Sequence, residues 1–343
     1  MAFRRKRIAI LFCGGTTLDE RDRPGDTVRA PKDMDRWLAQ MGEMEIIASI
    51  EPFFVYGGEG AAIGAKQWVQ VAGTIGREAK RFDGFFVLHA IDTLAYSAAA
   101  LSFMLQKLPV PVVMTGSPIV PKEGRRQTVS KEGFGQYSSL GVKANLVNAL
   151  QVAVSEVAEV CVVFGSRIFR GSQVTMNRPG ALNAFDSYDR IVLGKIDFGT
   201  KFFSHYVRRG DRALKVSPKF DPNVLQLDVQ PGLPSLQPLE SAVRSKAHGV
   251  FVTAMHITAI PQRTLDALAS WHRRGVPVAL YAHHFAERPK QLPFLFVELM
   301  SPVAALVKFM WARGQTSDPK RLQKLLDQDS AGEHVPPTSP RAV

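Results

Sequence analysis

Two short stretches hold side chains from which chemistry could be built. Cys13-Gly14-Gly15-Thr16-Thr17 follows directly on the apolar run Ile8 to Phe12, and Leu88-His89-Ala90-Ile91-Asp92-Thr93 closes the run that begins at Phe85. Paired glycines let the chain turn sharply and bring backbone N–H groups close to a ligand, with Thr16 exposed beside them. The same residues also make a plain Gly-Gly turn with a capping threonine, and taken alone they favour that reading. They are not a phosphate loop, because the GxxxxGK[ST] spacing is absent. Asp92 and Thr93 are residue types that cap helices. A carboxylate at a helix start stays ionised in the field of the helix dipole and could grip an ammonium group. The cap and the ammonium grip are equally open on this information.

The elements that would position these turns are legible from periodicity. Arg7 to Phe12, Phe85 to Leu88, Pro111 to Thr115 and Val160 to Phe164 are short apolar runs, the pattern of strands buried on both faces. Pro31 to Met41, Gly64 to Arg81, Thr93 to Leu108 and Val142 to Val157 read as helices between or after them. Alternating β and α segments predict a parallel sheet covered by helices on both sides. Ligands of such sheets bind beyond the carboxyl ends of the strands, which is where both turns fall. Residues 120 to 140, polar and rich in glycine from Lys122 to Tyr137, break the rhythm and read as a mobile surface loop. Beyond a charged linker with Pro218 and Pro222, the alternation resumes on a smaller scale. Strands are expected at Val224 to Val229, Gly249 to Ala254 and Val276 to Ala282, and helices at Leu236 to Ser245, Pro261 to Arg274 and Ser301 to Arg313. The expected organisation is an α/β N-terminal domain over 1–205, a linker over 206–222, a smaller C-terminal α/β domain over 223–327 and a disordered Pro/Ser-rich tail over 328–343.

Composition narrows the class. A chain of 343 residues can bury a sizeable core, and 45% hydrophobic with 22% charged residues is ordinary for a globular protein. No apolar run reaches the ~18 residues of a membrane span. The basic start, Met1 to Arg7, leads into an apolar stretch too short for a signal peptide. A cytoplasmic protein without a membrane partner is therefore expected. The two cysteines, Cys13 and Cys161, lie in apolar runs and read as buried reduced thiols rather than a disulfide or a metal site. A net charge of +12 suits an anionic partner, but the charge is scattered and no nucleic-acid-binding motif accompanies it. A solvated basic surface is the preferred reading, with nucleic acid ranked last among the partners.

The order of motifs carries a resemblance. Gly14-Gly15-Thr16, the stretch Leu88 to Leu105 (LHAIDTLAYSAAALSFML) and Val112 to Ser117 (VVMTGS) are similar to successive signatures of the type I bacterial L-asparaginases: GGT-I, HGTDT-MAY with SALSFML, and VxxTGSQ. Asn145 to Leu150, Phe169-Arg170-Gly171 with Asn183-Ala184-Phe185, and Val224 to Leu227 with Pro231-Gly232 resemble further segments in the same order, so the match runs from about 7 to 315. The resemblance implies two α/β domains and a larger N-terminal, mostly parallel sheet. It also implies assembly as a homodimer or homotetramer, with each site completed by a neighbour. The implied reaction is hydrolysis of the side-chain amide of asparagine or a related small, amino-acid-like amide to acid plus ammonia. The implied nucleophile is a threonine, and no metal or cofactor takes part.

Carried over residue by residue, the implied nucleophile is Thr16 and the implied aspartate is Asp92. The family's second threonine falls on Ile91 and its lysine on Met176, neither of which can relay a proton. The family's substrate-binding serine falls on Gly60, beside Glu59, and the segment that reaches a neighbour's site falls on His256 to Ala259. Ordinary activity is therefore expected to be impaired and the old relay filled by apolar side chains. His256 is a candidate compensating base, His89 is expected to be structural, and Asp186 and Lys143 are further titratable groups in matched segments. The alternative is a homologue without catalysis that binds an amino acid in the old cleft or serves as a scaffold.

Overall fold

The apolar runs of the N-terminal half do become the centre of one sheet. In this computed structural model the described residues are 4–14, 16–17, 27–116, 134–178, 183–197, 199–229, 247–282, 288–289 and 291–335, with only the backbone given for 16–17, 27 and 134–143. They divide into two compact units, Met1–Pro218 and Lys219–Val343.

In chain order the first unit contains β1 (Arg7–Cys13), β2 (Thr16–Thr17), β3 (Thr27–Val28), α1 (Met34–Ala39), α2 (Gly42–Ile47), β4 (Ser49–Tyr56), α3 (Ala65–Glu78), β5 (Gly84–His89), α4 (Leu94–Met104) and β6 (Leu105–Gln106). It continues through β7 (Val112–Thr115), α5 (Phe134–Ala153), β8 (Val160–Phe164), β9 (Arg167–Arg170), β10 (Val174–Met176), β11 (Phe185–Ser187), β12 (Gly194–Ile196), β13 (Thr200–Phe202) and β14 (Lys215–Val216). Among the described residues, eight strands form a sheet in the order β13-β12-β9-β8-β7-β5-β1-β4. Strands β4, β1, β5, β7 and β8 are parallel, and β9, β12 and β13 continue the sheet antiparallel. This is an α/β fold with a large, mostly parallel sheet.

One face of the sheet buries Ile8, Ile10, Phe12, Phe86, Leu88 and Val113 against Trp37, Met44, Leu146 and Leu150. The opposite side is covered by two helices of different character. Helix α3 buries Trp68, Val71, Ala72 and Ile75, a single stripe at helical spacing. Helix α4 is buried nearly all round, from Leu94 and Ala95 through Met104, because it packs on the sheet, on α3 and on β10.

Several expectations need correction. The segment Pro31 to Met41 is not one helix. A 3-10 turn at Pro31–Asp33 precedes α1, and a new helix begins at Gly42. The Asp33 carboxylate accepts from the N–H groups of Arg29 (3.0 Å) and Ala30 (2.8 Å), which tightens that entry. Helix α4 stops at Met104, and Leu105–Gln106 pairs instead with β14. The reading of 120 to 140 as a loop fails from Phe134 onward, where α5 begins, while 117–133 lies outside the described residues. Strand β4 escaped the sequence because Pro52 sits within it. At the sheet's edge a proline costs nothing, since its missing N–H faces away from β1.

The second unit is a smaller α/β layer. Strands β15 (Val224–Val229), β16 (Gly249–Ala254), β17 (Val278–Ala282) and β18 (Leu295–Val297) lie in that order, all parallel. Helix α6 (Gln262–Arg273) buries Leu268 and Trp271 among Val250, Val252 and Leu280. Helix α7 (Pro302–Gln315) lies on the other side, where Phe309 approaches Phe251 at 6.2 Å. Helix α8 (Pro319–Asp327) sends Gln323 across the open edge of β18, its amide bonding both the N–H (2.9 Å) and the C=O (3.0 Å) of Phe296. The expected helix at Leu236 to Ser245 lies outside the described residues.

Residues 328–335 are not a disordered tail. Lys308 and Glu333 form an ion pair at 2.5 Å with both side chains fully buried, and the Val335 N–H donates to the Leu299 carbonyl. A charged pair inside the unit holds this segment down, and composition does not reveal it.

Candidate active site

The strand order β4-β1-β5-β7-β8 reverses direction between β1 and β5. Crevices for ligands open at such a switch, outside the carboxyl ends of the strands. Four turns leave those ends here: at Gly14 after β1, Gly57 to Ile63 after β4, Ala90 to Thr93 after β5, and Gly116 after β7.

The turns are fitted to one another. Gly14 has φ +110°, a conformation that side chains resist, and its N–H donates to the Tyr56 carbonyl at 2.7 Å. A Cβ on Gly14 would lie 2.9 Å from Cδ1 of Ile63 and 3.5 Å from Cβ of Ala90. A Cβ on Gly60 would lie 2.3 Å from Cβ of Ala90. A Cβ on Gly116 would lie 2.6 Å from Cγ2 of Ile91 and 2.5 Å from the His89 carbonyl oxygen. Gly60 and Gly116 make room for Ala90 and Ile91 of the β5 turn, and Gly14 makes room for Ile63 of the β4 turn.

Within that turn, Ile91, Asp92 and Thr93 form a 3-10 turn and α4 begins at Leu94. Of the two readings left open for Asp92 and Thr93, the side-chain cap is not formed. The Thr93 hydroxyl donates instead to the Gly60 carbonyl at 2.9 Å, tying the β4 and β5 turns together. Asp92 is left exposed at the rim. Its Oδ2 lies 3.9 Å from the place where a Cβ on Gly60 would stand. Ile91 is 2% exposed. Its side chain is packed away rather than offered to solvent.

Behind the turn, His89 is buried, and its Nδ1 bonds the Ala90 carbonyl at 2.6 Å. That bond requires Nδ1–H as donor, which leaves Nε2 as an unprotonated acceptor, and Nε2 has no partner. His89 lines, with Cys13, Trp68, Ser97 and Met114, a small pocket that has no room for a water-sized molecule. Burial pulls the His89 pKa down from 6.5 to about 4, so the ring is neutral near neutrality. Burial likewise pushes the Cys13 thiol up to about 12, which removes it as a nucleophile. These groups support the turn and do not present reactive atoms.

The other anticipated residues fall as follows. Thr16 lies in β2, paired with Val28, and its side chain is outside the described residues. Glu59 is exposed and directly precedes the 3-10 turn Gly60–Ala62. Met176 is half-buried at the end of β10, opposite Phe185 of β11, in a hairpin that packs on α4. Asp186 pairs with Arg167 at 3.3 Å and accepts from the Ser187 N–H. The Lys143 side chain is outside the described residues. His256 belongs to the second unit, where its Nδ1 bonds the Thr258 hydroxyl at 2.7 Å and caps a 3-10 turn. The structure thus brings Glu59, Gly60, Ile91 and Asp92 to one set of turns. It adds Ala90, Thr93 and Gly116, whose parts were not foreseen, because only their mutual distances reveal them. Among the described residues, no three His, Cys, Asp or Glu side chains gather as a metal site.

Comparison with known proteins agrees with this fold. Residues 7–208 match the family described as "Asparaginase, N-terminal". The chain is 27% identical over 340 residues to an L-asparaginase of Thermococcus kodakarensis, covering 95% of this chain and 98% of that one. It is 28% identical over 350 residues to a protein of Methanosarcina acetivorans named as a component of glutamyl-tRNA(Gln) amidotransferase, covering 95% of this chain and 78% of the relative. Among solved structures, L-asparaginase I from Vibrio cholerae superposes with a TM-score of 0.77 at 24% identity, covering 96% of this chain and 99% of that one. The thermostable L-asparaginase from T. kodakarensis gives 0.76 at 24% identity with the same coverage. With the family's domain matched over more than half its length and the fold shared along nearly all of it, this chain belongs to the asparaginase family.

Proposed function

We propose that this protein is an amidohydrolase that cleaves the carboxamide of a small ligand to acid and ammonia, with Thr16 as nucleophile and Asp92 gripping an ammonium group of the substrate. The observation that carries this reading is an exposed Asp92 carboxylate at the rim of the β5 turn, beside Gly60 and one strand over from the Gly14 turn that precedes Thr16 in the chain. The threonine hydroxyl adds to the amide carbon, and backbone N–H groups of the glycine turn stabilise the resulting oxyanion. The C–N bond then breaks, the nitrogen leaving as ammonia with the threonine's proton, and water cleaves the resulting acyl ester to give the acid and restore the hydroxyl.

Turnover of ordinary asparagine is impaired in this reading. Ile91 and Met176 stand at the two positions of the family's proton relay, and neither side chain can carry a proton. The loss of one positioned proton-transfer group typically costs ~10²–10⁴ in rate, and losses within one catalytic group do not simply add. A homodimer or homotetramer in the cytoplasm is the proposed state, and His256 is its candidate contributor to a neighbour's site. The name of the M. acetivorans relative adds glutamine to the amides worth testing.

A coupled ammonia-release assay over asparagine, glutamine and related small amides tests the proposal. Turnover above blank that is abolished by Thr16→Ala is the expected result, and turnover indifferent to that substitution rejects it. The buried Ile91 also favours a second reading, a protein that binds in the cleft without turnover. In that case thermal shift shows stabilisation by a ligand while no ammonia appears.

A further inference from the structure

Among its described residues, the floor of the switch-point crevice is short of both space and positively charged side chains. The Ala90 methyl occupies the room beside Gly60, where any side chain would begin only 2.3 Å from it. The Thr93 hydroxyl is already given to the Gly60 carbonyl. Ile91 fills the space facing Gly116. Among the described residues of the four turns there is no lysine or arginine, and His89 is buried and neutral. The charges that remain are the carboxylates of Glu59 and Asp92, both exposed. These described side chains offer a cation two carboxylate partners and offer a ligand carboxylate no cationic one, while like charges repel it.

We infer that Ala90 is the specificity-determining residue of this crevice. Its methyl excludes the side chain at position 60 that could hold a ligand carboxylate, so the site takes a small amine-bearing carboxamide that lacks one. The inference rests on the amidohydrolase reading for the reaction but not for the binding preference. The representative substrate is 3-aminopropanamide, which is asparagine without its α-carboxylate. The Thr16 hydroxyl adds to the acyl carbon and the C–N bond breaks, the nitrogen leaving as ammonia with the hydroxyl proton; water then cleaves the ester, its hydroxyl going to the acyl carbon and its proton back to Thr16. The products are 3-aminopropanoic acid and ammonia. Ionisation of the new acid places a negative charge near Asp92 and Glu59, which favours its release.

The test uses the purified full chain and three probes: 3-aminopropanamide, L-asparagine and propanamide. Binding is measured by calorimetry, and ammonia release is measured in parallel. The expected order has 3-aminopropanamide at least tenfold tighter than the other two. Asp92→Asn removes that advantage over propanamide. Ala90→Gly combined with Gly60→Ser shifts the ratio toward asparagine at least tenfold, and Ala90→Gly alone shifts it in the same direction if the double variant does not fold. Asparagine binding as well as 3-aminopropanamide overturns the inference, as does a folded variant with an unchanged ratio, or no binding of any probe. If the preference holds but no amide releases ammonia, the hydrolase reading fails and the specificity inference stands. If ammonia is released from asparagine in preference, the reverse is true.

Discussion

The Ala90 methyl stands where a side chain on Gly60 would have to go, so positions 60 and 90 can carry only one side chain between them. Gly60→Ala alone forces the β4 and β5 turns apart and is expected to cost about 1–3 kcal/mol, the usual scale of overpacking. Ala90→Gly in the same chain should restore most of that loss. Thermal or denaturant unfolding of the two single variants and the double variant measures the coupling, and additive effects would show that the turns yield independently.

Ile91 makes a second prediction. Replacing it with threonine keeps the Cγ2 methyl that faces Gly116 and puts a hydroxyl in place of Cγ1, on a side chain that is 2% exposed. Without a partner there, the hydroxyl is expected to cost about 1–3 kcal/mol. Urea unfolding of Ile91→Thr reads it, and a variant as stable as wild type would mean that the site already holds an acceptor for that group.

His89 sets an acid limit on the first unit. Its folded pKa, about 4, lies below the ordinary 6.5, because burial disfavours the charged ring. The neutral ring contributes its full stability above pH 6.5. As pH falls from 6.5 toward 4, the unfolded chain takes up a proton that the folded chain refuses, so stability declines. The integrated loss is about 3 kcal/mol, since each pH step of one between the two values costs roughly 1.36 kcal/mol. Unfolding free energy measured across pH 4–7 for wild type and His89→Gln should differ in slope within this window. Equal slopes would place the acid sensitivity elsewhere.

The buried Lys308–Glu333 pair governs the end of the second unit. Lys308 Nζ also donates to the carbonyls of Leu326 (3.0 Å) and Gln328 (2.6 Å), and the Glu333 carboxylate accepts from the N–H groups of Ser330 and Ala331. Glu333→Gln or Lys308→Met leaves a charge without its partner and is expected to cost about 3–5 kcal/mol. Joint replacement by Lys308→Met and Glu333→Leu should recover much of it. Hydrogen exchange at residues 328–335 follows the release directly, and unchanged protection in Glu333→Gln would remove the pair from this role.

The sequence by itself determined the central strands of the parallel sheet, though not its edge strand β4 or its antiparallel extension. Continuous apolar runs at Ile8 to Phe12, Phe85 to Leu88, Val112 to Thr115 and Val160 to Phe164 tolerate no exposed face, so they had to lie inside a covered parallel sheet. The turns that bear Thr16 and Asp92 then had to fall at its carboxyl edge. What needed tertiary structure was everything set by distance between segments far apart in sequence. The Pro52 strand depends on being an edge, and the Lys308–Glu333 clasp depends on two charges meeting in the dry interior. The exclusion between Ala90 and Gly60 depends on two turns arriving side by side. Local pattern reports which face of a segment avoids water, but not which methyl from another strand will occupy the space beside a glycine.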